Sequence, residues 1–196
     1  MKLCIVDYKI GNIKSIQSFF SELNIDSYLS SDHKVIKNAD IVLLPGVGTF
    51  GSVIEFLRVN KLDRLLISLF KQKKPIIGIC LGMQLFFESS NENGIHKGLG
   101  LIKGHLKKNL NSHIGWNDLY AKNKDIYSIN NRYFYFNHSY SIKYTNKYKN
   151  YFSNYENKIL SLIKINNFVG MQFHPEKSQK NGIDLVKKIL GSFTYA

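Results

Sequence analysis

The chain has 196 residues, 44% hydrophobic and 21% charged, the make-up of an ordinary globular protein long enough to bury a core and leave a structured cleft. Its two cysteines, Cys4 and Cys80, supply neither a disulfide framework nor metal-ligand spacing, which excludes a disulfide-built scaffold and fits a reducing cytoplasm. A net charge of +13 invites a polyanion partner, but the 27 Lys and Arg residues are dispersed, with short clusters only around Lys71 to Lys74, Lys107-Lys108 and Lys187-Lys188. No helix-turn-helix, zinc-finger or RNP-type pattern accompanies them, so a nucleic-acid function is not expected. Met1 to Asp7 lacks the apolar core of a signal peptide, and no apolar run approaches the ~20 residues of a membrane span. A soluble, unexported, cytoplasmic protein with no membrane partner is expected.

In chain order, Lys2 to Asp7 reads as a short apolar strand, and Ile10-Gly11-Asn12 turns into an amphipathic helix over Ile13 to Leu23. Ile25 to Leu29 is a second strand and Ile41 to Leu44 a third, ending at Pro45-Gly46-Val47-Gly48. Phe50 to Lys71 is helical with a break near Asn60, and a fourth strand, Ile76 to Ile79, runs into a helix-like stretch from Met83 to Glu88. This strand, loop, helix alternation is that of a parallel sheet, in which function gathers at the carboxyl ends of the strands. The Ile10 to Asn12 loop, the Pro45 to Gly48 loop and the Cys80 turn all fall there. From Leu99 onward the texture changes to short strands at Leu101-Ile102, Tyr133 to Phe136, Ser139 to Lys143 and Ile159 to Lys164, which predicts antiparallel additions to the sheet. A final amphipathic helix spans Ile183 to Phe193, and with no repeat or linker in between, residues 1–196 read as a single domain.

The most informative run is Gly78-Ile79-Cys80-Leu81-Gly82. A strand that turns sharply into a helix between glycines is the setting of a nucleophile elbow, and here the exposed side chain is a thiol. The helix N-terminus favours the thiolate that does the chemistry. A partner base stands in Gln172-Phe173-His174-Pro175-Glu176, where the rigid Pro175 keeps the imidazole and a carboxylate on one short segment. Cys80, His174 and Glu176 therefore form a candidate nucleophile, base and orienting carboxylate.

With both halves placed, the chain resembles the class I glutamine amidotransferases, and within them the glutaminase subunits of imidazole glycerol phosphate synthase. The resemblance runs nearly end to end, through Asp7 and Gly11-Asn12, Leu44 to Gly48, Gly78 to Leu85, Gly98 to Leu101, His113 to Asn117, Tyr135 to Tyr140 and Gly170 to Ser178. It implies a flavodoxin-like α/β fold, with a mixed, mostly parallel sheet, flanking helices and antiparallel additions in the second half. It implies that Cys80 attacks the side-chain amide of glutamine, with His174 as base and then acid and Glu176 as its orienter, and that a glutamyl thioester is hydrolysed to glutamate. The implied oxyanion donors are the N–H groups of Leu81 and Val47. Gly48, Gln84, His138, Ser139 and Tyr140 match positions around the substrate, and Asn12, Trp116 and Lys177 match positions facing a partner. No cofactor and no metal are implied. The partner implied is a (β/α)8-barrel cyclase subunit that takes the ammonia within a heterodimer and makes imidazole glycerol phosphate and AICAR in histidine biosynthesis.

The sequence departs from the family pattern at Lys9, where a glycine is usual, at Asn111-Ser112, where a proline usually precedes the histidine, and in a shorter stretch between Gly104 and His113. None of these touches the triad. They leave open a second client, amidination of a surface-glycan sugar served by paralogous glutaminase subunits. The role of the net charge in docking is also open; partner binding that weakens with rising salt would support one, and salt independence would count against it.

Overall fold

The structure, a computed structural model, describes residues 1–11, 13–121, 125–143 and 149–194. Its frame is an eight-stranded sheet. Strands β1 (Lys2–Val6), β2 (Asp26–Ser30), β3 (Ile41–Leu44) and β4 (Ile76–Ile79) pair in parallel, in the order β2-β1-β3-β4. Strand β12 (Phe168–Met171) continues the parallel run beside β4, and β11 (Asn157–Ile165), β10 (Lys149–Tyr155) and β8 (Tyr120–Ala121) extend it antiparallel. Every residue of β3, β4 and β12 is buried, as expected of strands covered on both faces.

Side-chain alternation along these strands divides the interior into two cores. Cys4, Val6, Val42, Leu44 and Ile76 face one side, which is covered by helices α2 (His33–Asn38), α3 (Phe50–Val59) and α4 (Leu62–Lys71). Leu3, Ile5, Leu43, Ile77 and Ile79 face the other, which is covered by α1 (Lys14–Glu22) and α6 (Gln179–Thr194). Helix α3 starts on a capping box between Thr49 and Ser52, and it stops at Asn60 because Lys61 takes a left-handed φ of 56° before α4 begins. Helix α2 has no counterpart in the sequence reading. It is one and a half turns long, capped by Asp32 on the N–H groups of Lys34 and Val35, and buries only Ile36, too short a stretch to show a period.

Two expectations are corrected. The helix after Cys80 is α5, Leu81–Gln84, and not Met83 to Glu88; residues Phe87–Ser90 are strand β5. The carbonyls of Leu85 and Phe86 accept from the N–H groups of Leu99 and Leu101 at 2.8 and 3.0 Å, so the returning chain captures the acceptors that a longer helix would have used. The second-half strands also do more than extend the main sheet. Strands β6 (His96–Lys97), β5, β7 (Ile102–Asp118) and β9 (Tyr133–Ser141) form a separate four-stranded sheet in that order. β9 is continuous where two short strands were expected, because β7 pairs with it on both sides of Asn137-His138. Lys9 sits at φ 61° with its backbone N–H and its ammonium both bonded to the Asp7 carboxylate, at 2.8 and 2.6 Å, a local bond set that accommodates a lysine where glycine is conformationally easier.

Helix α5 lies hard against β3. A Cβ added at Gly82 would overlap the Leu44 carbonyl, which belongs to the sheet backbone and cannot step aside. Gly82→Ala is therefore expected to destabilise the protein by about 3 kcal/mol in chemical denaturation, the upper range for overpacking a core.

Candidate active site

Cys80 is the hinge between β4 and α5. Its backbone is held at φ 48°, ψ −109°, its N–H donates to the Met171 carbonyl of β12 at 2.7 Å, and its own carbonyl accepts from the N–H groups of Met83 and Gln84. The turn is thus over-determined from both sides, and the side chain stands at the carboxyl end of the sheet. Gly46 of the β3 loop packs beside it: a Cβ there would lie 2.8 Å from the Cys80 Cβ and 3.4 Å from the His174 ring. Only a glycine lets that loop approach so closely.

His174 follows β12 on a short extended segment whose N–H donates to the Tyr135 carbonyl of β9 at 2.8 Å. The His174 carbonyl accepts from the Ser178 hydroxyl at 2.6 Å, and that hydroxyl accepts from the Tyr135 N–H at 3.0 Å. A 3-10 turn, Pro175–Lys177, then brings the Glu176 carboxylate back to His174 Nδ1 at 2.8 Å, with both side chains buried. The other carboxylate oxygen, Oε2, is buried without a hydrogen-bond partner. Burial works against the imidazolium, but the hydrogen bonds and charges of Cys80 and Glu176 outweigh it and raise the His174 pKa from 6.5 to about 10. The three residues are thereby brought together with the ring fixed by its Nδ1 bond and its other nitrogen left for the sulfur.

The thiol opens on a cavity of about 250 Å3 whose wall includes Gly46, Gly48, Leu81, Gln84, Ser139 and Tyr140. That is below the ~300–1,000 Å3 of drug-sized ligand sites and suits a small metabolite. A larger hollow of about 790 Å3 runs along α1 and β2, but it contains neither cysteine nor histidine. Leu81, first residue of α5, has no intrahelical acceptor for its N–H. Among the described residues, no group of three or more His, Cys, Asp or Glu is placed to hold a metal ion.

The match to known proteins decides the family: the class-I glutamine amidotransferase model covers residues 4–190. The chain belongs to the class-I glutamine amidotransferases. It is 41% identical to the imidazole glycerol phosphate synthase subunit HisH of Oceanobacillus iheyensis over 95% of this chain and 96% of that protein. It is 38% identical to the HisH subunit of Sulfurimonas denitrificans over 98% and 97% of the two chains, and 39% identical to that of Listeria innocua over 94% and 93%. Within the family it is therefore a HisH-type glutaminase subunit, an enzyme of the class that uses a cysteine nucleophile. Solved structures share the fold at low identity: a glutamine amidotransferase at TM-score 0.77 and 12% identity, covering 98% of both chains, and PurLQS from Thermotoga maritima at 0.76 and 17%, covering 97% and 98%.

The amidotransferase places its remaining expected site residues unevenly. Gln84 is buried, and its amide N–H groups donate to the Tyr140 carbonyl and to the Gln172 side chain, each at 3.0 Å. Its partners come from β9 and from the residue just past β12, so it is no local helix cap. His138 lines the cavity, yet both its ring nitrogens are engaged, Nδ1 with the Tyr140 carbonyl at 2.9 Å and Nε2 with His113 Nδ1 at 3.2 Å. Contact with a ligand falls to its carbon edge or its backbone. The Ser139 hydroxyl pairs with that of Ser112 at 2.8 Å. Val47 packs its side chain against Gly11, and it is Gly46 and Gly48 that reach the cavity. Trp116, on β7, is 47% exposed and stands edge-on to Tyr135 at 6.0 Å, and the Lys177 ammonium lies over the same Tyr135 ring at 5.7 Å. Asn12 lies outside the described residues. The sequence reading missed Glu92 and Asn137 as site residues, and both line the cavity: Glu92 belongs to no motif and arrives on the loop after β5, while Asn137 lies inside the Tyr135 to Tyr140 segment on β9, where only its neighbours are given a role. Glu92 accepts from the Phe50 N–H at 2.6 Å.

Three histidines thus meet within one region with opposite electrostatics. Burial pushes His113 down from 6.5 to about 4, against the pull of Glu156, and pushes His138 to about 3, with the His113 charge adding to it. Below pH 6.5 the unfolded chain binds protons that these two refuse, so their contribution to stability is lost as pH falls towards 4 and 3. His174 has the other sign: its raised pKa stabilises fully below pH 6.5 and loses that contribution as pH rises through about 10. In an NMR titration of the folded chain, His113 and His138 are expected to hold neutral-ring shifts at pH 5 while His174 holds imidazolium shifts at pH 8; a neutral His174 at pH 8 would contradict the assigned pairing.

Proposed function

We propose that the chain, acting as one glutaminase domain, hydrolyses glutamine to glutamate and ammonia through Cys80, His174 and Glu176. The observation that carries this is the buried cluster itself: a strained cysteine at a helix N-terminus, beside an imidazole raised to about pKa 10 by that cysteine and a carboxylate, at the mouth of an amino-acid-sized cavity. The sulfur adds to the substrate amide carbon. His174, already holding a proton, gives it to the departing ammonia, and a glutamyl thioester remains. Negative charge on the former carbonyl oxygen is met by the N–H of Leu81 and by that of Val47 once the Gly46 to Gly48 loop presents it. Water then cleaves the thioester, with His174 as base.

Substrate selection follows from the cavity wall. Gly48, Gln84, His138, Ser139 and Tyr140 surround the glutamine backbone, and Glu92 is the carboxylate placed to meet its α-ammonium group. The exposed Ile114, Trp116 and Tyr133, with Lys177, form the face on which a (β/α)8-barrel cyclase docks as a heterodimer in the cytoplasm. Ammonia made at Cys80 passes to that subunit for the synthesis of imidazole glycerol phosphate and AICAR in histidine biosynthesis. The relatives at 38 to 41% identity are HisH subunits, which supports this client, and nothing favours the sugar-amidination alternative. No described helix is long and apolar enough to cross a membrane.

Glutaminase turnover of the isolated chain is expected to be slow and to rise strongly with a substrate-loaded cyclase. Cys80→Ala should lower kcat by a factor on the order of 10^6, and Glu176→Gln by a smaller factor, on the order of 10^2 to 10^4. Full activity in Cys80→Ala overturns the triad, and wild-type activity in Glu176→Gln removes Glu176 from it. Glu92→Gln is expected to raise KM for glutamine about tenfold with kcat little changed, the signature of a lost ground-state contact.

A further inference from the structure

Gln172 stands one residue past β12 and is wholly buried. Its backbone N–H is spent on the Ser161 carbonyl at 2.8 Å. A primary amide in such a place must be paired or it destabilises the fold, and the pairing of this one is directional. Its Nε2 lies 3.5 Å from Cys80 Sγ, and its Oε1 accepts from Gln84 Nε2 at 3.0 Å. The second N–H of Gln84 goes to the Tyr140 carbonyl, which also receives His138 Nδ1.

A backbone carbonyl can only accept, so it dictates the orientation of everything upstream. Gln84 must turn its NH2 group towards Tyr140, which turns that same group towards Gln172. Gln172 must then offer its oxygen to Gln84 and its N–H to the sulfur. Flipping either amide would set donor against donor or acceptor against acceptor. The histidine chain obeys the same anchor: His138 carries its proton on Nδ1, accepts at Nε2 from His113 Nδ1–H, and His113 Nε2 accepts from Asn117 Nδ2 at 3.2 Å. The Tyr140 carbonyl is the common end of two relays, one of which reaches the nucleophile.

We propose that Gln172 is a positioning residue for Cys80: it aims a fixed amide N–H at the sulfur and favours its thiolate form, and Gln84 holds it in that orientation. This rests on the reading of Cys80 as the nucleophile. Its value to the reaction is that the donor does not titrate. When His174 gives its proton to ammonia the imidazolium charge leaves the site, but the Gln172 N–H stays. In the second half-reaction the water oxygen adds to the thioester carbon, its proton passes to His174, the C–S bond breaks and the electron pair returns to sulfur. The amide N–H stabilises that departing sulfur.

The test compares alkylation of Cys80 by iodoacetamide, read by mass spectrometry of its peptide, in the full chain and its variants. Gln172→Met keeps the length and removes both the donor to sulfur and the acceptor for Gln84; with the rate followed across the acid-to-alkaline range, it is expected to be about tenfold below wild type on the rising, low-pH limb, the scale of one hydrogen bond to a charged group, and equal to it on the high-pH plateau. A purely structural role would slow both or neither. Gln172→Glu keeps the shape and the bond to Gln84 but sets a carboxylate against the sulfur, and should be slower still on the low-pH limb, which serves if the Met variant does not fold. In the complex with the cyclase subunit, Gln172→Met should lower kcat about tenfold and leave KM for glutamine nearly unchanged. Equal alkylation on the low-pH limb in either folded variant, or a deficit that persists on the high-pH plateau, overturns the proposal. The Cys80→Ala assay separately decides whether Cys80 is the nucleophile, so the two failures are distinguishable.

Discussion

A cysteine held at φ 48° between a buried strand and a buried helix carries a local strain on the order of 1–3 kcal/mol, and such strain persists only where the surroundings over-determine it. Here they do so from every side. The parallel pairing of β4 with β12 presents the Met171 carbonyl to the Cys80 N–H, the first turn of α5 hangs on the Cys80 carbonyl, and Gly82 lets that turn sit directly on Leu44. The sharp turn is what keeps the thiol from pointing into the sheet. It directs the sulfur to the place where β12 ends, and β12 is the strand that delivers Gln172 and His174.

The second consequence of this arrangement is electrostatic. Around Cys80 the protein keeps one histidine charged and two neutral within a single patch, and it does so by partner choice. His174 is given a carboxylate and the thiol. His138 is given a backbone carbonyl and another neutral imidazole, and His113 is stacked between Phe136 and Tyr155 at 4.4 and 3.9 Å. Confining positive charge to the ring beside Cys80 leaves the wall, apart from the Glu92 carboxylate, as neutral dipoles of fixed orientation, which need no reorganisation when charge develops in the cavity. His113 and His138 sit on β7 and β9, the same strands that carry Trp116 and Tyr135 on their outer side. The pocket wall and the outer face are therefore two sides of one two-stranded ribbon.

Much of this was legible in the chain itself. The parallel strands β1, β3 and β4 fall where their apolar runs end, and the α3–α4 break falls at Asn60, because buried strands and helix ends leave local marks. Cys80 and His174 stood out because a glycine-bracketed thiol and a histidine-proline-glutamate segment each have a chemical reason to exist. What escaped was whatever depended on pairing across long separations. The helix after Cys80 ended early because residues near Leu99 claimed its carbonyls, and the second sheet formed because β7 found both β5 and β9. Glu92 reaches the cavity from the loop between β5 and β6, and no spacing in the sequence announces it.

The sequence by itself thus determined the local pieces: a cysteine at an elbow, an imidazole with its carboxylate two residues away, and the strand pattern that sets both at the carboxyl edge of a sheet. These are short-range facts, written in residue type and in spacings of two or three. Only the tertiary structure decided which hydrogen-bonding groups those residues meet. The polarity of the Gln84 and Gln172 amides, the tautomers of His113 and His138 and the pKa of His174 all depend on acceptors and charges brought in from elsewhere in the chain, the Tyr140 carbonyl to the amides lying 56 residues from Gln84. A donor's direction is set by the acceptor it meets, and that acceptor is chosen by the fold.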